Sequence, residues 1–287
     1  EGYPFSSQSD TETIVALYKK YGIDGICKLA GDFALVIVDF IRNELYLIRD
    51  RMGVKPLYFS LENGMLSFSS EIKALWPFPW MRKSLNVTAL HHYLTFMVTP
   101  APMTLYEGVY KLPAGYYLKV DQHDVVTFHE WYNPLTAAVA AGQVVDEQEA
   151  IETIDLLFKK AVQKRLMSDV AIGSFLSGGI DSSLIVSHMS SMTDNVKTFN
   201  ISFSDGSEYS EVKWARRIAQ EFKTDHYELT ISEKEAFDFY QSMIYYQDEP
   251  LADCVCIPLY YVAKLLRDTG VTVVLVGEGA DELFAGY

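Results

Sequence analysis

Cysteine is scarce, with three in 287 residues: Cys27, Cys254 and Cys256. The last two are separated by one residue, which is not the usual ligand or redox spacing, so a reduced, cytoplasmic setting is the expectation. No apolar run reaches the length of a membrane span, and no signal-peptide pattern opens the chain. Basic residues are outnumbered, 24 Lys and Arg against 38 Asp and Glu, for a net charge of −14. That balance argues against nucleic acid as a partner. It leaves room for a single nucleotide, which a local nest of N–H groups and a metal ion can hold. No Met starts the chain, and it ends eleven residues after the last apparent strand. It reads as a segment of a longer polypeptide.

Apolar residues make up 49% of the chain, enough for one large core or two ordinary ones. The first part is β-rich, with short runs at Phe33–Asp39, Glu44–Ile48, Leu57–Ser60, Met65–Ser69 and Tyr116–Val120. Leu45, Tyr46, Leu47 and Ile48 are apolar on both faces, so that strand should be covered on both sides. Ahead of them, Ser9-Asp-Thr-Glu12 has the pattern of a capping box before Ile14, Val15, Leu17 and Tyr18 at helical spacing. The reading is a helix beside antiparallel sheet. Asn133–Glu149 has few large apolar groups and is the best linker. Beyond it, Ile151 to Leu166 marks an amphipathic helix, and strands then alternate with helices. Strands fall at Val170–Leu176, Thr198–Phe203, His226–Ile231 and Val271–Val276, and Ser232-x-x-Glu235 caps an intervening helix. Such alternation implies a doubly wound parallel sheet, in which ligands sit beyond the carboxyl ends of the strands.

Two glycine-rich loops leave such ends. Ser177-Gly-Gly-Ile-Asp-Ser-Ser183 follows a buried strand and opens a helix. Gly178 and Gly179 can adopt backbone angles that turn successive N–H groups inward, and the helix start adds free N–H groups and a positive dipole end. Ser177, Ser182 and Ser183 supply hydroxyls, and Asp181 supplies a carboxylate. The plain alternative is a Gly/Ser turn with a capping residue. No Lys follows the glycines, which excludes a Walker A loop, and G-x-G-x-x-G is absent as well. The second loop is Gly277-Glu-Gly-Ala-Asp-Glu282. Asp181 and Asp281 facing polyphosphate would need a cation, and Mg²⁺ suits a site of few carboxylates. Read plainly, Asp281 and Glu282 are an acidic helix start.

Ser177–Ser183 resembles the PP-loop of the ATP pyrophosphatases that cut ATP between its α and β phosphates. Gly277-Glu-Gly-Ala-Asp-Glu-Leu-Phe-Ala-Gly-Tyr287 resembles the second ATP-site loop of glutamine-dependent asparagine synthetases. Gln247-Asp-Glu-Pro-Leu-Ala-Asp253 fits that family too, and Arg49-Asp-Arg-Met-Gly-Val-Lys-Pro-Leu-Tyr58 looks like part of its glutaminase domain. The resemblance implies an incomplete N-terminal-nucleophile sandwich over 1–132, a linker over 133–149, and an incomplete PP-loop α/β domain over 150–287. It further implies ATP, aspartate and glutamine as substrates, Mg²⁺ as cofactor and a homodimer. Leu176 and Ile201 would offer backbone groups to adenine, with Ser177, Gly178, Gly179, Asp181 and Ser182 around the phosphates. Val276 and Gly277 would contact the nucleotide from the other side, Asp181 and Asp281 would take the magnesium, and Glu278 matches a residue near the reacting acyl group. Val276 stands where the family more often has Ser, and Ala285 where it has Gly.

The family's glutaminase nucleophile is an N-terminal cysteine, and residue 1 here is Glu. Cys27 follows Ile26 in an apolar setting and is expected to be a buried thiol. Asp10 matches the aspartate that holds the glutamine amino group; its plain reading is a first-turn helix acid. His91-His92 reads as a surface or interdomain pair, and Trp76, Phe78 and Trp80 as a packed loop. Two other readings stay open. One is a β-lactam-synthetase-like or other amide-forming relative with a different acyl substrate. The other is a catalytically silent homologue.

Overall fold

The computed structural model describes residues 2–143, 146–204, 211–253 and 255–286. Glu1, Cys254, Tyr287 and two positions of the 133–149 stretch therefore lie outside the described residues. The chain divides into two compact units, Glu1–Gln143 and Val144–Tyr287.

The first unit opens with α1 (Asp10–Tyr21) and a 3-10 helix (Gly22–Lys28). It continues with β1 (Ala34–Asp39), β2 (Glu44–Arg49), β3 (Tyr58–Glu62), β4 (Met65–Ser69), α2 (Val87–Phe96), β5 (Val109–Lys111), β6 (Tyr116–Val120), β7 (Val126–Glu130) and α3 (Pro134–Ala141). Strands β1-β2-β6-β7 form one antiparallel sheet and β4-β3-β5 another. Leu47 and Leu118 of the first sheet meet Leu57, Phe59 and Leu112 in one buried cluster. Tyr46 and Ile48, on the opposite face of β2, pack with Tyr18 and Ile26 of the helical layer. Strand β2 is therefore covered on both sides, and the unit is a layered α+β sandwich. Asn133 caps α3 within the stretch expected as a linker.

Two local expectations are corrected. Ser9 Oγ accepts the Thr11 N–H, but Glu12 does not close a capping box back to Ser9. Its carboxylate accepts the backbone N–H groups of Ser6 and Ser7 at 2.8 and 2.7 Å, because the chain folds back over the helix start. Cys27 is exposed, not buried, since it lies at the outer end of the 3-10 helix while Gly25 and Ile26 take the inner positions.

The second unit contains α4 (Glu147–Arg165), β8 (Ile172–Phe175), α5 (Ile180–Met192), β9 (Lys197–Phe203), α6 (Val212–Glu221), β10 (Asp225–Ile231), α7 (Glu233–Gln247), α8 (Cys256–Asp268), β11 (Val273–Leu275) and α9 (Ala280–Phe284). Ser232 and Glu235 form a complete capping box on α7. The sheet order is β10-β9-β8-β11, with every pair parallel. Alternation along the strands sorts the side chains between two helical layers. Phe199 and Val274 pack with Val262 and Leu266 of α8. Leu176 packs with Val186 of α5 and Ala215 and Ala219 of α6. The sheet is therefore doubly wound. Only the C-terminal half of α4 is seated: Val162 is buried beside Ile185 and Met189, whereas Ile151 and Leu157 are exposed.

Candidate active site

The strand order sets the place. From β8 the chain winds outward through β9 to β10, then returns to lay β11 on the other side of β8. The reversal falls between β8 and β11, and the crevice outside the carboxyl ends at such a switch is where doubly wound sheets bind ligands. The stretch 177–183 spans the end of the turn after β8 and the first turn of α5, and the loop after β11 is residues 276–279.

Gly178 has φ +90°, the left-handed region that favours glycine. A Cβ there would lie 2.5 Å from Trp214 Cβ and 2.7 Å from the Ala215 nitrogen. The first turn of α6 thus packs directly on the loop. Gly179 is ordinary, with φ −69° and ψ 167°, and serves as N-cap of α5 without a capping side chain. The first N–H groups of α5 are consequently free to face an anion. The serine hydroxyls fold the loop onto itself: Ser177 Oγ accepts the Gly179 N–H at 3.1 Å and lies 3.1 Å from Ser182 Oγ. Ser182 and Ser183 both donate to the Gly179 carbonyl, at 3.2 and 2.7 Å. Asp181 stands in the first turn of α5.

The second loop touches the first. A Cβ on Gly277 would lie 2.8 Å from Asp181 Cβ and 3.5 Å from the Ser182 nitrogen. Gly279, at φ +87°, turns the chain into α9, whose first turn carries Asp281. Ala285 adopts φ 54° at the end of α9, a conformation glycine takes at less cost. Glu278 lies between the two glycines, and Val276 is half-exposed at the strand end.

Leu176 closes the β8 side with both backbone groups engaged. Its N–H donates to the Phe199 carbonyl at 2.9 Å, and its carbonyl accepts from Asn200 Nδ2 at 2.8 Å. Ile201 pairs with Leu229 of β10 and packs in the α8 cluster. Sequence reasoning passes over Asn200 and Trp214. The available signal for Asn200 is a carboxamide between Phe199 and Ile201 in a buried strand. Trp214 carries none, because its role comes from a helix crossing the loop.

The donor set fits a magnesium ion held mainly by phosphate. Asp181 and Asp281 stand in the first turns of the helices that follow the two loops, and no group of three or more His, Cys, Asp or Glu able to hold a metal occurs among the described residues. Mg²⁺ bound through one or two carboxylates plus substrate oxygens needs no such group. The His91-His92 pair likewise belongs to no such cluster.

In the first unit, Asp10 lines a cavity of about 1040 Å³ together with Thr11, Ile14, Phe33, Lys55 and Ser70. Asp50 holds two of the lining residues, Phe33 and Lys55, in place. The carboxylate is buried and accepts the N–H groups of Phe33 and Lys55 on Oδ2 and of Met52 and Val54 on Oδ1. Arg49 closes the same loop by donating to the carbonyls of Lys55, Gly53 and Leu112, and its burial pulls the guanidinium pKa down. These bonds give the Arg49–Tyr58 motif a physical reason: one turn folded around a charged pair.

Residues 1–132 match the glutamine amidotransferase domain family, and residues 153–287 match the asparagine synthase family. The chain joins a glutamine amidotransferase domain to an asparagine synthase domain. It is 36% identical to asparagine synthetase 1 of Bacillus subtilis over its whole length, which covers 44% of that protein. It is 32% identical to a putative glutamine-hydrolysing asparagine synthetase of Methanocaldococcus jannaschii over 97% of this chain and 54% of that one. An amidase of Gibberella zeae, chry2, is 31% identical over 99% of this chain and 44% of its own. The chain thus spans about half the length of these relatives.

Proposed function

We propose that the protein carrying this chain makes asparagine: it adenylates aspartate with ATP and then amidates it with ammonia drawn from glutamine. The observation that carries the reading is the contact of Gly277 with Asp181 at the β8–β11 switch. It joins a phosphate loop and an acidic loop into one edge. Residues 150–287 supply this synthetase part, 1–132 supply part of the glutaminase, and 133–149 link them. A homodimer in the cytoplasm is the expected form.

A carboxylate oxygen of aspartate attacks the α-phosphorus, the bond to the bridging β-phosphate oxygen breaks, and pyrophosphate leaves. Ammonia then displaces AMP from the acyl-adenylate. The α5 N–H groups and the Gly178 turn bind the departing pyrophosphate, where fixed donors are worth most as charge develops. Asp181 and Asp281 would hold Mg²⁺, which supplies charge neutralisation at the phosphates. Leu176, Ile201 and Val276 line the adenine end, and Glu278 faces the acyl end. Asp10 receives the glutamine amino group.

A second reading keeps the ATP edge and changes the carboxylate, and the similarity to a fungal amidase favours weighing it. Pyrophosphate release by the full-length protein, measured with a panel of carboxylates, separates the two. Release with aspartate alone supports asparagine synthesis; release with another acid supports the second reading; no release with any acid refutes both and leaves a silent homologue.

A further inference from the structure

We propose that Asn200 is a positioning residue for the nucleotide loop, aiming the first N–H of that loop through the Leu176 peptide. The inference rests on the adenylation reading of the same edge.

Asn200 is 5% exposed, on β9 beneath the point where β8 becomes the loop. Its Nδ2 donates to the Leu176 carbonyl at 2.8 Å. That carbonyl and the Ser177 N–H share one planar trans peptide and point in opposite directions. Holding the carbonyl inward on Asn200 therefore turns the Ser177 N–H outward, to the side where the loop opens. The Leu176 N–H, tied to Phe199, fixes the other end of the residue. The peptide planes on the two sides of Leu176 are thereby each held by one hydrogen bond, and Asn200 holds the take-off peptide.

Stability does not explain this side chain. Asn200 Oδ1 is buried and has no hydrogen-bond partner among the described residues. One neutral hydrogen bond returns no more than a buried, unpaired acceptor costs. The neighbours on this face differ in both respects. Val186, Ala215 and Ala219 are apolar. Thr198 Oγ1 shares hydrogen bonds with both Thr224 and His226, at 2.8 Å each. An aliphatic residue at 200 would suit the packing as well, so the amide is placed for what its single bond holds.

The test uses the full-length protein and two variants. Asn200→Leu keeps the branching and the number of heavy atoms and removes both the donor and the orphaned acceptor. Asn200→Asp keeps the shape and loses the donor whenever the carboxyl is ionised. ATP affinity is read by direct titration, thermal unfolding reports the fold, and glutamine hydrolysis without ATP reports the first unit. Asn200→Leu should weaken ATP binding tenfold or more, with an unchanged or raised melting temperature and unchanged glutaminase. Asn200→Asp should bind ATP weakly at pH 8 and recover as the pH falls, because a protonated carboxyl can again donate to the Leu176 carbonyl. Burial raises such a carboxyl's pKa, which brings the recovery into a workable range. Wild-type affinity in Asn200→Leu, or a pH-independent defect in Asn200→Asp, overturns the proposal. If wild type binds ATP but releases no pyrophosphate with any acid, the adenylation reading fails by itself, while the titrations still decide Asn200.

Discussion

Replacing Gly277 by alanine tests whether the two loops form one site. Gly277 does not have the left-handed φ of Gly178 or Gly279, so alanine brings no backbone strain of its own. What it brings is a methyl group 2.8 Å from Asp181 Cβ. Carbon atoms pack at about 3.5–4.0 Å, so one loop must move by on the order of 1 Å. Overpacking of this size costs about 1–3 kcal/mol. If Asp181 and the α5 start take up the shift, ATP affinity should fall by about 5- to 150-fold. Titration of ATP into the full-length variant reads that number, and a thermal melt checks that the fold survives. Wild-type affinity with a wild-type melt would show that the loops do not depend on each other, and the reasoning would fail.

Gly178→Ala combines a left-handed backbone with a clash against α6 and should cost about 2–5 kcal/mol of unfolding free energy, read by denaturant titration. A loss below 1 kcal/mol would mean that α6 does not pack on the loop. Asp50→Ala strips the partner from four backbone N–H groups and should destabilise by on the order of 4 kcal/mol or more. A midpoint shift under a quarter of that would contradict the bonding described. Asp39 is held down to about 2, chiefly by the Arg42 backbone N–H and then by its guanidinium, against an ordinary value of 3.8. A depressed carboxyl stabilises above its unfolded pKa and loses that contribution as pH falls through the folded value. Melting temperature should therefore drop between about pH 4 and pH 2, and Asp39→Asn should flatten that part of the curve. An unchanged slope in the variant would exclude Asp39 as a source.

Much of this fold was legible in hydrophobic pattern. Met65–Ser69 and Tyr116–Val120 are strands at the residues expected, because each alternates clearly between turn signals. The short strand β5 and the strand β7 gave no comparable signal; three of the four side chains following Val126 in β7 are polar. Cys27 was misread because an apolar neighbour indicates burial only when the period is known, and a 3-10 helix turns residues outward at a different interval. At the β8–β11 edge, the two glycine-rich loops were readable because each follows an apolar run and opens a helix. Asn200 was not, because its meaning lies in a bond to a carbonyl 24 positions away in sequence.

Aspartate-dependent exchange of labelled pyrophosphate into ATP, compared between wild type and Asp181→Ala in the full-length protein, bears most directly on the central claim. Wild type should exchange only when aspartate and Mg²⁺ are present. Asp181→Ala should lose exchange while keeping its melting temperature. Exchange that survives in Asp181→Ala would contradict the placement of the nucleotide between the β8 and β11 loops.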